Sequence, residues 1–174
     1  MSFFGPLQRA AALAGLLIAA AAGSTPALAA PADIALLKSY LGDWRGRGIL
    51  IGASTETVVC RMSLKEGNSE KVNYSGRCTL AGQTLSINGT IAYIDAKRRY
   101  EAAMTTNAAF SGIAVGQKRG GGLIFNLREK EVEEGKDLTI TAQIALNDDA
   151  IDVQFQVVYD QTGESLRAEV PFSK

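Results

Sequence analysis

YLGDWRGRGILIG, Tyr40 to Gly52, holds the chain's only tryptophan, Trp44, in a Gly-x-Trp-x-Gly-x-Gly frame. The stretch stands where the hydrophobic period changes. Before it, PADIALLKSYLG spaces Ile34, Leu37 and Leu41 along one helical face, and Gly42 is placed to end that helix. From Trp44 onward the period is two. Val58, Cys60, Met62 and Leu64 share a face, as do Leu85, Ile87, Gly89 and Ile91. The same holds for Leu138 to Ile144, Ile151 to Val157 and Leu166 to Phe172 in alternate positions. Runs with one apolar face are the mark of antiparallel sheet.

Turn signals separate the runs near Ala53, Gly67, Ala81, Lys97, Asn107, Arg119, Glu134, Asp148 and Gly163. They divide the chain into about 8–10 strands, by the alternation rule. A one-sided meander of that length exposes edges unless it closes. The expected fold is therefore all-β: an antiparallel up-and-down barrel behind one short N-terminal helix, with a β-sandwich as the alternative. A hairpin turning near Ser69 places Cys60 opposite Cys78, Met62 opposite Gly76 and Leu64 opposite Tyr74. The cysteines are thus expected to form a structural disulfide rather than to supply a reactive thiol.

Residues 1–29 read as a signal peptide: Arg9 is their one charge, an apolar run of alanine and leucine follows, and Ala27-Leu28-Ala29 is a small-x-small cleavage pattern. The apolar run falls short of the roughly 20 residues that an anchor needs. Residues 30–174 then form a single domain with 17 basic and 18 acidic residues, Arg9 being subtracted from 18 of each. That balance argues against nucleic acid as a partner. No transmembrane segment is expected after cleavage, and an even cysteine count suits a bacterial periplasmic or secreted protein.

Gly42-Asp43-Trp44 resembles the Gly-x-Trp opening of lipocalin-like barrels, the calycin group. Extended to Gly46 and Gly48, the frame is most similar to haem-binding barrels of the nitrobindin type. The specific resemblance covers Leu41 to Gly48. It implies a structural role for these residues: a short helix before the first strand, the indole packed across the closed end, and flanking glycines that let strands bend. It also implies a basic residue from a late strand over the indole, for which Arg167 is the match. With its cysteine pair, the chain is similar too to small exported bacterial barrels of undetermined function.

The sequence contains no histidine. Ser-His and Cys-His nucleophiles and His-ligated metals are thereby excluded, along with the proximal ligand of nitrobindin-type haem sites. Neither Gly-x-Ser-x-Gly nor Ser-x-x-Lys occurs beyond the leader. Asn147 to Asp152, NDDAID, lacks the glycine and terminal glutamate of a calcium loop. GQKRGGG lacks the Gly-Lys-Ser/Thr of a phosphate loop. Glu129, Glu131 and Glu133 read as a charged strand end that discourages edge pairing. No catalytic residue, metal or cofactor is therefore expected, and the protein reads as a non-enzyme.

Hairpins of an up-and-down barrel alternate between its ends. The turns near Gly67, Lys97, Arg119 and Asp148 fall beside Trp44, at the closed end by the resemblance. Thr105 to Gly112, TTNAAFSG, lies at the other end and is the expected portal. By strand parity, Tyr74, Ile91, Tyr93, Met104, Phe110, Phe125 and Phe155 face inward and would line a site for a small apolar or amphipathic ligand. The alternative is a packed barrel that acts through its outer surface as a cell-envelope partner or inhibitor. An enzyme ranks third.

Overall fold

The computed structural model describes residues 29–174 apart from 81, 109 and 134. The expected signal peptide, save its last residue, lies outside the described residues. The order is α1 (Ala29–Ser39), β1 (Gly42–Ile51), β2 (Thr55–Glu66), β3 (Val72–Leu80), β4 (Gln83–Ile94), β5 (Arg99–Thr106), β6 (Ser111–Arg119), β7 (Gly122–Glu133), β8 (Lys136–Asn147), β9 (Ala150–Tyr159) and β10 (Ser165–Ser173). Every strand pairs antiparallel with its chain neighbours, and β10 pairs with β1 to close a ten-stranded barrel. The sandwich alternative is thereby excluded, and closure removes the two free edges of the meander.

The expected hairpin register holds residue for residue. Cys60 lies opposite Cys78, Met62 opposite Gly76 and Leu64 opposite Tyr74. The cysteines are joined as a disulfide, with Cα atoms 4.0 Å apart. Arg119 and Gly122 are joined through Gly120-Gly121, and Gly120 takes φ 60°, a conformation that glycine adopts without a Cβ clash.

The inward face carries the core, and its glycines are covered by neighbouring side chains. A Cβ at Gly46 would lie 2.8 Å from the Phe172 ring. One at Gly48 would run into the Glu169 carbonyl, so only glycine allows β1 and β10 to close there. The ring of Tyr74 lies over Gly89, and its hydroxyl donates to the Ala103 carbonyl at 3.0 Å, reaching across β4 to β5. Burial pushes the Tyr74 phenol well above its usual pKa.

One end of the barrel is plugged. Leu37 and Tyr40 of the helical segment are buried with Trp44, and the indole N–H donates to the Tyr40 carbonyl at 3.0 Å. The Tyr40 hydroxyl donates to the Leu146 carbonyl at 3.1 Å, on the far side of the end. Lys38 pairs with Glu66 of β2 at 2.6 Å. This is the end where the β2–β3, β4–β5, β6–β7 and β8–β9 hairpins turn, as the alternation of hairpins requires.

The cation over the indole is not Arg167. Arg167 lies opposite Ile51 at the other end of β1, is exposed, and pairs with Glu169. Lys174 takes the position instead, with Nζ 4.9 Å from the Trp44 ring centroid and 3.5 Å from the Ser39 carbonyl oxygen. The reason is register. β10 runs antiparallel to β1 with Arg45 opposite Ser173, so only the residue after Ser173 comes level with Trp44.

Candidate functional site

The inner wall divides the barrel into two zones. Toward α1, the inward side chains Leu64, Val72, Tyr100, Leu123, Phe125, Leu146 and Ile151 are buried. Farther from α1, Met62, Tyr74, Cys78, Met104, Ile144 and Phe155 also point inward and remain partly exposed, while one side of the wall stays buried toward the open end, at Val58 and Cys60 of β2, Leu127 of β7 and Leu138 and Ile140 of β8. Away from the two rims, a side chain facing the inside of a closed barrel meets solvent through the lumen. The partly exposed residues therefore line an open, mostly apolar cup above the packed plug, and that cup is the candidate site.

Of the residues expected at a ligand site, Tyr74, Met104 and Phe155 lie on the cup. Phe110 lies at its mouth, and its ring is 3.1 Å from the place a Cβ of Gly112 would occupy. Ile91 and Phe125 are 7% and 1% exposed and belong to the floor. Tyr93 lies beyond them at the plugged end, packed edge-on against Tyr100 with ring centroids 5.0 Å apart, and is partly exposed there beside Ile34 and Asp95. The parity that assigns all seven inward is the observed one, but their depth varies along the barrel axis.

The expected portal loop is shorter than the eight residues from Thr105 to Gly112, because both ends are strand. What remains between the strands is pinned at Asn107, Ala108 and Phe110. Thr106 N–H donates to the Phe110 carbonyl at 2.9 Å, and the Thr106 hydroxyl oxygen accepts from the Ala108 and Phe110 amides. The Asn107 side chain accepts from Ser86 N–H at 2.8 Å and donates to the Thr84 carbonyl at 3.0 Å. The longer connection at this end is 160–164, between β9 and β10.

Glu129 and Glu131 correct a second expectation. In a closed barrel β7 has no edge to protect, and both residues continue the inward series Leu123, Phe125, Leu127. Glu129 lies opposite Ile140 and Glu131 opposite Leu138, both buried inward residues of β8. The Glu129 Cγ is 3.4 Å from the place of a Gly112 Cβ, beside Phe110 and Leu127. The signal was present in the sequence: parity counted on from Leu127 assigns both glutamates inward. An open depression of about 520 Å³ lies at the rim of this wall, lined by Lys130, Glu131, Val132, Asp137, Leu138 and Asp160.

At the plugged end the buried polar group is Asp33, 6% exposed. Its carboxylate is 2.5 Å from Lys118 Nζ of β6 and accepts from the Tyr100 hydroxyl of β5 at 2.9 Å. Burial pushes this carboxyl up, but hydrogen bonds from Lys118, Tyr100 and Tyr93 and the Lys118 charge outweigh burial and hold it below its ordinary 3.8. A depressed folded pKa stabilises the fold above the unfolded value and ceases to do so as pH falls through the folded one. Asp33→Asn is expected to destabilise most at neutral pH, with the gap from wild type narrowing below pH 3.8. Urea midpoints of both proteins at neutral and strongly acid pH check this. An equal gap at both would place the stabilisation elsewhere.

Among the described residues no group of three or more His, Cys, Asp or Glu side chains is arranged to hold a metal. No helix among them is long and apolar enough to cross a membrane.

Ten antiparallel strands closed on themselves, a helix across one end and an apolar cup at the other define a lipocalin-like small barrel. Among solved structures the chain is similar to Rv2717c from M. tuberculosis, with a TM-score of 0.63 and 15% identity over 81% of this chain and 96% of that one. It is also matched to the S-type phycobiliprotein lyase CPES from Guillardia theta, with a TM-score of 0.47 and 7% identity over 82% of this chain and 90% of that one. Identities this low speak to the fold alone. No family model matches the chain, and no curated protein matches it by sequence.

Proposed function

We propose that the protein is a non-catalytic binding barrel that takes one small apolar or amphipathic molecule into its lumen. The observation that carries this reading is the partial exposure of inward apolar side chains, Met62, Met104, Ile144 and Phe155 among them, above a fully packed floor. Pockets of this kind bind through buried apolar area, with a few polar groups fixing orientation. The Gly42 to Gly48 opening supports a place beside nitrobindin-type barrels, although a chain without histidine must hold its ligand by packing rather than by imidazole–iron ligation. The Cys60–Cys78 disulfide supports function in the periplasm or outside the cell.

A second reading has its own observation. Ile49, Ile51 and Val59 are 39%, 40% and 47% exposed on the outer face of β1 and β2, where an envelope protein would find apolar contacts. The lumen reading is tested by titrating an uncharged solvatochromic dye such as Nile red into the folded protein. Saturable binding near one per chain is expected. Phe110→Asp should weaken it at least about tenfold, because a carboxylate would replace an apolar ring at the mouth. Absence of saturable binding would leave the outer-surface reading.

A further inference from the structure

We infer that the lumen prefers amphiphiles with a cationic head, an amine or quaternary ammonium, held at the open mouth with the apolar tail toward the plug. The inference rests on the lumen reading and concerns the charge of what the cup accepts.

The inner wall is sorted by charge along its axis. Inward parity gives two cations at the plugged end, Lys118 and Lys174, and both are engaged: Lys118 with Asp33, Lys174 with the Trp44 ring and the Ser39 carbonyl. Toward the open end most of the inward ionisable groups are carboxylates. Glu129 and Glu131 follow Leu127 on β7. Glu56 lies opposite the inward Leu50 and continues the series Leu64, Met62, Cys60, Val58 on β2. β2 and β7 are five strands apart in either direction around the barrel, so the carboxylates stand on opposite walls. One inward cation shares this end: Lys136, opposite Glu133 in the ladder and over the Tyr159 ring at 5.9 Å. No ion pair among the described residues reaches Glu56, Glu129 or Glu131.

Glu129 is not a solvated surface group. It is half-buried, its ladder partner Ile140 is 6% exposed, and its Cγ shares the space over Gly112 with the Leu127 and Phe110 side chains. Carboxylates on low-dielectric walls focus negative potential into the space between them. An entering fatty carboxylate meets like charge and loses hydration without a partner, whereas an ammonium head finds partners already in place. The inward residues farther in, Met104 and Phe155 among them, are apolar and suit the tail.

The test is displacement of Nile red by three chain-matched molecules below their critical micelle concentrations: dodecyltrimethylammonium, dodecanoate and dodecanol. At neutral pH and low salt the cation is expected to bind at least about tenfold more tightly than the anion, a ratio that should shrink at 0.5 M salt as surface fields are screened. The E129Q/E131Q double variant should bring the ratio toward one. A wild-type ratio near or below one, with dodecanol still binding, overturns the inference and leaves the lumen reading intact. A high ratio that neither salt nor the double variant changes overturns the assignment to these carboxylates. Failure of all three to bind overturns both. Should the double variant not fold, the salt dependence of the wild type decides alone.

Discussion

Replacing Trp44 by alanine should lower the free energy of unfolding by about 3–5 kcal/mol, the range for truncating a buried large aromatic side chain. The indole is 1% exposed and packs with Leu37 and Tyr40 where the helical segment meets β1. Its N–H donates to the Tyr40 carbonyl, and Lys174 covers its face at 4.9 Å. Truncation would open a cavity, leave a buried carbonyl without its donor, and free a lysine that the ring now holds. Urea denaturation of both proteins measures the difference. The wild-type emission should be blue-shifted and resist iodide. A loss below about 1 kcal/mol, or a solvent-like spectrum, would contradict the plugged-end account.

The second large effect belongs to the disulfide. Replacing Cys60 and Cys78 together with alanine should destabilise the fold by about 2–5 kcal/mol, with a loop of this length giving about 3 by chain entropy. The bridge joins β2 to β3 in register, 18 residues apart in sequence, with Cys60 buried and Cys78 facing the lumen. It shares that inner wall with Met62 and Gly76, so reduction would also loosen one side of the cup. Thiol titration of denatured, unreduced protein should find almost none. Two reactive thiols per chain would mean that the strands hold without the bridge.

Much of this fold is legible in strand parity. Alternation from Trp44 onward gives the turns at their observed places, and the Cys60–Cys78 register follows from the hairpin turning near Ser69. Parity assigns a side chain to a face but says nothing of its depth along the axis. Tyr93 and Phe125 thus share a face with Met104, yet Phe125 lies buried in the floor and Tyr93 beyond it, partly exposed at the plugged end. Arg167 failed for a related reason. A motif specifies a basic residue over the indole, but the β1–β10 register decides which one arrives, and that register pairs the first strand with the last. The inward glutamates were obscured by residue type, since three acids in alternation read as a solvated strand end. Only closure of the sheet, a property of the whole chain, turns their face into an inner wall. The ring of Tyr74 over Gly89 was equally out of reach, because it joins β3 to β5 across an intervening strand.

Met62 and Met104 give the most direct test of the lumen itself. They are the only methionines between residues 30 and 174, and both face the cup, from β2 and β5. Carbon-13 labelling of methionine methyl groups should therefore give the folded domain two signals, both reporting from inside the barrel. Titration with dodecanol should shift both, saturably and with one common dissociation constant, while backbone amides of Ile49, Val59 and Ile113 on the outer face stay in place. Unmoved methyl signals, with shifts confined to those outer strands, would contradict a ligand-binding lumen.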